Sequence, residues 1–165
     1  MKLSNLEFYG GKDLSFSAGH FTIFSSTQRE RIHGHNYRLE AGITAPLGEP
    51  GITFDYAIFR NKLANLCRQI HSRLLLPALS PYLQIEAEGE HYRVTFNKKY
   101  MLFLQDDVTL LSLSNITIEE LSHWFIDQLI LEKDFIRDYR IHEITVKIYN
   151  GPEHSAKSHW YLLSP

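Results

Sequence analysis

Two runs of strict alternation, each carrying histidine, constrain this chain more than anything else in it. In LSFSAGH, Leu14, Phe16, Ala18 and His20 fall on one face of an extended strand. In HGHNYRLEAGIT, His33, His35, Tyr37, Leu39, Ala41 and Ile43 fall on one face of a second strand. The other face of that strand carries Asn36, Arg38, Glu40 and Thr44, which suits solvent or a neighbouring subunit.

The rest of the chain supplies helices and further strands. APLGEPG, Ala45 to Gly51, is a loop by its proline and glycine content. Asp55 is placed to cap a helix running to about Leu75, with Phe59, Leu63, Leu66, Cys67, Ile70 and Leu74 at helical spacing and Pro77 and Pro81 ending it. Two short runs, YLQIEAEG and YRVTF, flank Gly89 and predict an extra hairpin. Thr117 and Glu120 match a capping box for a second helix through Leu131. Ile144, Val146, Ile148 and Asn150 alternate on a last strand before the turn Gly151-Pro152. Strands, helix, hairpin, helix, strand make an α+β domain with antiparallel pairing.

A length of 165 residues suits one domain spanning 1–165, and a composition 44% hydrophobic and 22% charged is that of an ordinary globular protein. The net charge of −2 suggests neither a nucleic-acid nor a membrane-surface partner. No apolar run approaches the ~20 residues that span a bilayer, and the N-terminus lacks a signal-peptide core, so the expectation is a cytoplasmic protein. The single cysteine, Cys67, excludes an internal disulfide and a cysteine-based zinc cage.

Nine histidines remain to be explained. Residues two apart on a strand point the same way, so His33 and His35 can reach one ion, with Gly34 leaving room between them. His20 ends the matching face of the first strand. If the two strands pair antiparallel, His20, His33 and His35 converge as a three-imidazole site, the donor set of a catalytic zinc with one position open. Imidazoles also accept iron, nickel and copper, and three hydrogen-bonded structural histidines are the other reading.

The motifs FSAGH and HGHNY, with a short loop between them, resemble the 6-pyruvoyl-tetrahydropterin synthase and 6-carboxytetrahydropterin synthase family. GITFDYAIFRNKL, QIHSRLLLP, DDVTLLSLSNITIEELSHWF and VKIYNGPEHSA extend the resemblance over most of the chain. The resemblance implies a tunnelling fold: a four-stranded antiparallel sheet with two helices on one face, here with the extra hairpin. It implies homo-trimers or homo-hexamers with active sites at subunit interfaces. It also implies zinc held by His20, His33 and His35, and a pterin-like small-molecule substrate.

This sequence departs from that pattern at the residues that do chemistry. The proton-transferring cysteine that many members place before HGH is absent; Arg29 and Thr27 stand at its positions. Glu30 matches a family variant in which a glutamate replaces it. There the resemblance implies cleavage of the 7,8-dihydroneopterin triphosphate side chain to 6-hydroxymethyl-7,8-dihydropterin. Burial raising its pKa would suit Glu30 to move a proton; as a solvated loop charge it would do nothing. His71 aligns with the family's catalytic histidine, but Ile70 stands where an aspartate would orient it, so His71 is either an acid–base group or an edge of the core. Asn150 replaces the glutamate that grips the pterin, keeping at most a neutral hydrogen bond. Glu153 is a substitute if the strand ends early, or a turn residue. Glu119 matches a pterin-contacting glutamate, though an acid in a first helical turn is favoured anyway.

Of the remaining histidines, His154 is the best placed to line the site. Arg29, Arg31, Lys98 and Lys99 are candidate partners for a triphosphate. Three functions follow: a zinc-dependent lyase, a family member retuned to another substrate or to 6-carboxytetrahydropterin synthase chemistry, and a non-catalytic zinc-containing pterin- or purine-binding protein.

Overall fold

In the computed structural model, which describes residues 1–162, the two histidine strands are neighbours. Strand β2 (Ser15–His20) pairs antiparallel with β3 (His33–Pro46), and β3 pairs antiparallel with β9 (Glu143–Asn150), which pairs in turn with β10 (His154–Tyr161). These four antiparallel strands carry α1 (Tyr56–Ile70) and α2 (Ile118–Ile130) against one face, in agreement with the expected fold class.

The sheet is larger than the four strands expected. Strand β1 (Leu3–Phe8) pairs with the far end of β3, while β4 (Arg73–Pro77) and β8 (Val108–Leu111) extend the β2 edge in parallel pairing. The predicted hairpin is likewise a three-stranded meander of β5 (Gln84–Glu88), β6 (His91–Phe96) and β7 (Lys99–Leu104). A short helix α3 (Lys133–Asp138) follows α2. Among the described residues no helix is long and apolar enough to cross a membrane.

The first helix ends five residues before Leu75. His71 is already extended (φ −67°, ψ 136°), and Ser72 takes a left-handed φ of 57°, which stops the helix and reverses the chain. RLLLP then forms β4 instead of a last helical turn. Its successive leucines point to opposite faces, Leu75 into the main core and Leu76 into a second cluster. At α2 the expected cap is present: Thr117 Oγ1 accepts from the Glu120 backbone N–H at 3.3 Å. The Glu120 carboxylate accepts from Ser114 Oγ at 2.5 Å, tying down the approach to the helix.

The main core lies between sheet and helices. Phe16, Tyr37, Leu39, Ile43, Ile144, Val146 and Ile148 from the strands meet Phe59, Leu63, Ile70, Trp124 and Phe125 from the helices. Cys67 belongs to this core, where burial pushes its thiol up to about 12, so it stays protonated and inert. The opposite face of β3 and β9 is polar: Tyr149 donates to Glu40 at 2.7 Å, and the Arg38 guanidinium sits 4.0 Å over the Tyr149 ring. The second cluster, Phe21, Ile23, Leu76, Val94, Phe96 and Val108, fastens the meander and the loop after β2.

A candidate metal centre and its cavity

The register of β2 on β3 sets His20 opposite His33 and Ala18 opposite His35. All three imidazoles share the strand face that carries Phe16 and Tyr37, so they stand at the end of the main core, facing the start of α2. Ring centroids lie 4.6 Å (His20–His33), 5.2 Å (His20–His35) and 4.7 Å (His33–His35) apart. One ring nitrogen from each falls within 4.8 Å of the others.

Backbone carbonyls set the orientation of two of the rings. His20 Nδ1 lies 2.9 Å from the Ile116 carbonyl and His33 Nδ1 2.8 Å from that of Arg31. A carbonyl only accepts, so each Nδ1 carries the proton and each Nε2 is left with a lone pair. His20 Nε2 is buried with no hydrogen-bond partner. Burial, reinforced by His33 and His35, holds His20 below the usual histidine range; burial and His33 do the same for His35. Three converging imidazoles, one with an orphaned buried nitrogen, fit a divalent zinc ion.

A cavity of about 190 Å³ adjoins this cluster, and it gathers Glu30, Glu119 and Asn150 together with the three histidines. Glu30 comes from the loop between β2 and β3. An isolated bridge between Ile23 and Arg29 narrows that loop, and the Glu30 N–H donates to the Thr22 carbonyl at 2.9 Å. In return Glu30 Oε2 accepts from the Thr22 N–H at 3.0 Å and stands 3.9 Å from His33 Nε2. Burial pushes this carboxyl up, but the Thr22 hydrogen bond and the neighbouring imidazoles of His33 and His20 outweigh it. The net shift is downward, opposite to the expected rise, and Glu30 is ionised at neutral pH.

Three further residues of the site were not marked as site residues by the sequence. Tyr37 lines the cavity two residues beyond His35 on the same strand face, a position the alternation already marked. Burial, with Glu30 nearby, holds its phenol well above the usual range, so it is a fixed neutral group. Thr22 is the backbone latch for Glu30. Asn115 is the hinge between loop and helix: its Oδ1 accepts from Ile23 N at 3.1 Å and Ile116 N at 3.0 Å, and its Nδ2 donates to Ile23 O at 2.8 Å. No local pattern in the sequence pairs residues 92 positions apart.

Other expected residues lie apart from this cavity. His71 is exposed at the end of α1, its Nδ1 accepting from the Ser17 N–H at 3.1 Å. The preceding Ile70 is fully buried, which is why no carboxylate can stand there without losing core packing. Glu153 is an exposed turn residue, because β9 runs through Asn150 and turns directly into β10. His154 pairs with Asn150 across that turn but is exposed and outside the cavity lining.

A second, larger cavity of about 680 Å³ opens on the other side of Glu30, between the β2–β3 loop and the β6–β7 turn. Arg29, Arg31 and Lys99 line it; Lys98, at a left-handed φ of 64° in the turn, does not. Arg29 is held in place, donating to the Glu30 carbonyl at 2.7 Å and to Met101 Sδ at 3.4 Å, with its guanidinium 4.8 Å from the Phe21 ring centroid.

Comparison with known proteins agrees with this architecture. A protein of Pyrococcus horikoshii named "Putative 6-carboxy-5,6,7,8-tetrahydropterin synthase" is 25% identical over 143 residues, covering 86% of this chain and 83% of its own. A protein of Methanocaldococcus jannaschii with the same name is 23% identical over 150 residues, covering 90% and 91%. The crystal structure of 6-pyruvoyl tetrahydropterin synthase from Plasmodium vivax superposes with a TM-score of 0.90 at 22% identity, covering 98% of this chain and all of that one. A variant of that Plasmodium protein, described as a catalytic-residue mutant with alanine in place of a glutamate, superposes equally well. The family description "6-pyruvoyl tetrahydropterin synthase" matches residues 10–159, and the chain belongs to that family.

Proposed function

We propose that this chain is a zinc-dependent lyase acting on 7,8-dihydroneopterin triphosphate and releasing 6-hydroxymethyl-7,8-dihydropterin, with Glu30 as the proton-moving group. The observation that carries this reading is the placement of an ionised Glu30 carboxylate 3.9 Å from His33 Nε2, in one cavity with the three histidines. The glutamate described as catalytic in the Plasmodium relative supports the same assignment.

His20, His33 and His35 would hold the ion, whose Lewis acidity would polarise side-chain oxygens of the substrate. Formation of a hydroxymethyl product requires a proton to leave the second side-chain hydroxyl as the bond between the first and second side-chain carbons breaks. The far fragment departs as a triphosphorylated two-carbon aldehyde, and the electron pair left on the pterin side is taken up by a proton at the first side-chain carbon. Because its carboxyl is held low, Glu30 serves first as the base. Glu119 and Asn150, which line the same cavity, orient the pterin ring. His71 lies outside its own chain's cavity, so its part depends on assembly: in a trimer or hexamer with sites at subunit interfaces, a neighbouring copy's exposed His71 closes the site.

The test is a product assay by mass on zinc-loaded protein, beside Glu30→Gln. Turnover is expected to fall at least ~100-fold in the variant with zinc content unchanged. Unaltered substrate from zinc-loaded wild-type protein would overturn the reading. It would favour a family member retuned to another ring, or a non-catalytic binder, which the neutral Asn150 in the cavity supports.

A further inference from the structure

We propose that Arg29 is the positioning residue of Glu30: its guanidinium pins the returning arm of the β2–β3 loop to the meander and so fixes where the carboxylate stands. The inference rests on the reading of Glu30 as the proton-moving group.

The loop has little else to hold that arm. Its tip closes on itself: the Phe24 and Ser25 N–H groups donate to the Gln28 carbonyl at 2.9 and 3.2 Å, and Ser25 Oγ accepts from the Thr27 and Gln28 N–H groups at 3.2 and 3.1 Å. Asn115 holds the outgoing arm at Ile23, whose side chain is buried in the small cluster. On the way back, Thr27 and Gln28 are exposed, and the first side chain to reach into the fold is that of Arg29.

That side chain joins three parts of the molecule. Arg29 Nη1 donates to the Glu30 carbonyl at 2.7 Å, and Nη2 donates to Met101 Sδ on β7 at 3.4 Å. Its Cζ lies 4.8 and 5.8 Å from the ring centroids of Phe21 and Phe96. A planar guanidinium offers donors along its edge and a cationic face to a ring at once, whereas an ammonium supplies one contact but not the set. The Glu30 N–H already donates to the Thr22 carbonyl, so both backbone groups of Glu30 are held. Its Oε2 accepts from Thr22 N, while Oε1 has no hydrogen-bond partner among the described residues. One carboxylate oxygen is fixed, and the other is free to take a proton.

The chemistry sets how much this hold matters. A base works within hydrogen-bond reach of its proton, and a misplacement of about 1 Å costs on the order of 100-fold in rate. Without Arg29, water takes over the Glu30 carbonyl, and the two bonds between Thr22 and Glu30 open more often. The three histidines do not share this dependence, because the register of β2 on β3 places them.

The experiment compares full-length wild type with Arg29→Met, Arg29→Lys and Met101→Leu, each checked for zinc content and melting temperature. Hydrogen exchange at the Thr22 and Glu30 amides, read by NMR, reports the hold without any need for turnover. In Arg29→Met those two amides are expected to exchange at least about tenfold faster, with the β2–β3 ladder unchanged. In the turnover assay kcat should fall roughly 30-fold with KM within about twofold. Arg29→Lys should recover part of that loss, and Met101→Leu, which removes the sulfur alone, should lose about threefold. If Arg29→Met does not fold, the other two variants carry the same exchange test. Unchanged exchange overturns the proposal, whatever happens to the rate, and so does faster exchange with full kcat. A raised KM at unchanged kcat also overturns it and makes Arg29 a cation that binds substrate. Faster exchange in the variant, with no product from wild type, upholds the hold of Arg29 on Glu30 and removes the lyase reading.

Discussion

The two hydrophobic clusters of this molecule do different jobs for one cavity. The main core packs two helices on four antiparallel strands and ends at the three histidines, whose rings stand on the same strand faces as its buried aromatics. The second cluster is small, drawn from the meander, β4, β8 and the loop after β2, and above it rides the loop that carries Glu30. The three candidate metal-binding histidines are thus held by the large core, and Glu30, the proposed proton-moving carboxylate, by the small one. Precision in the first comes from strand register; in the second it comes from a few hydrogen bonds.

That division can be broken most forcefully from the large side. Phe125→Ala, at a site with no exposure among Phe16 and Trp124, is expected to remove about 3–5 kcal/mol, with zinc binding lost only as the protein unfolds. Urea unfolding with and without zinc checks it. Val94→Ala in the small cluster should cost about 2 kcal/mol, leave zinc affinity within twofold, and lower turnover as the Glu30 loop loosens. Equal losses of zinc and turnover would erase the distinction between the clusters.

Asn115→Ala strikes the seam. It strips partners from Ile23 on the loop and from Ile116, whose carbonyl orients His20, so about 1–2 kcal/mol and roughly tenfold in both zinc affinity and kcat should be lost together. A zinc competition titration beside steady-state kinetics reads the two effects. The smallest effect lies at the back of the large core, where the Arg60 guanidinium bonds Asp13 and holds its carboxyl below the usual range. A lowered carboxyl adds stability above its unfolded value and loses it as pH falls through the folded one. The pair is partly exposed, so Asp13→Asn should cost about 0.5 kcal/mol at neutral pH and progressively less as pH falls through the lowered carboxyl, measured by urea unfolding across acid pH.

How much of this was legible in the sequence follows the same division. Alternation placed His20, His33 and His35 on strand faces, and the cap at Thr117 and the stripe of α1 were plain, because those signals are local and periodic. The strand at Arg73–Pro77 was not, since a run of three leucines fits a helix or a strand equally; a left-handed Ser72 and two separate cores decided it. Strands β1 and β8 owe their state to partners far along the chain. The ionised state of Glu30 was illegible for the same reason: a backbone N–H eight residues away, together with His33 and His20, outweighs burial.

Strand β3 overhangs its neighbour. β9 covers it from Tyr37 to Thr44, while His33, Gly34, His35 and Asn36 pair only with β2. The ligand-bearing end is thus a ledge, open along one side, on a frame whose apolar packing includes none of the three histidines. Such a shelf is built by strand register alone, so the three imidazoles are arranged for an ion by the same β2–β3 pairing that frames the core.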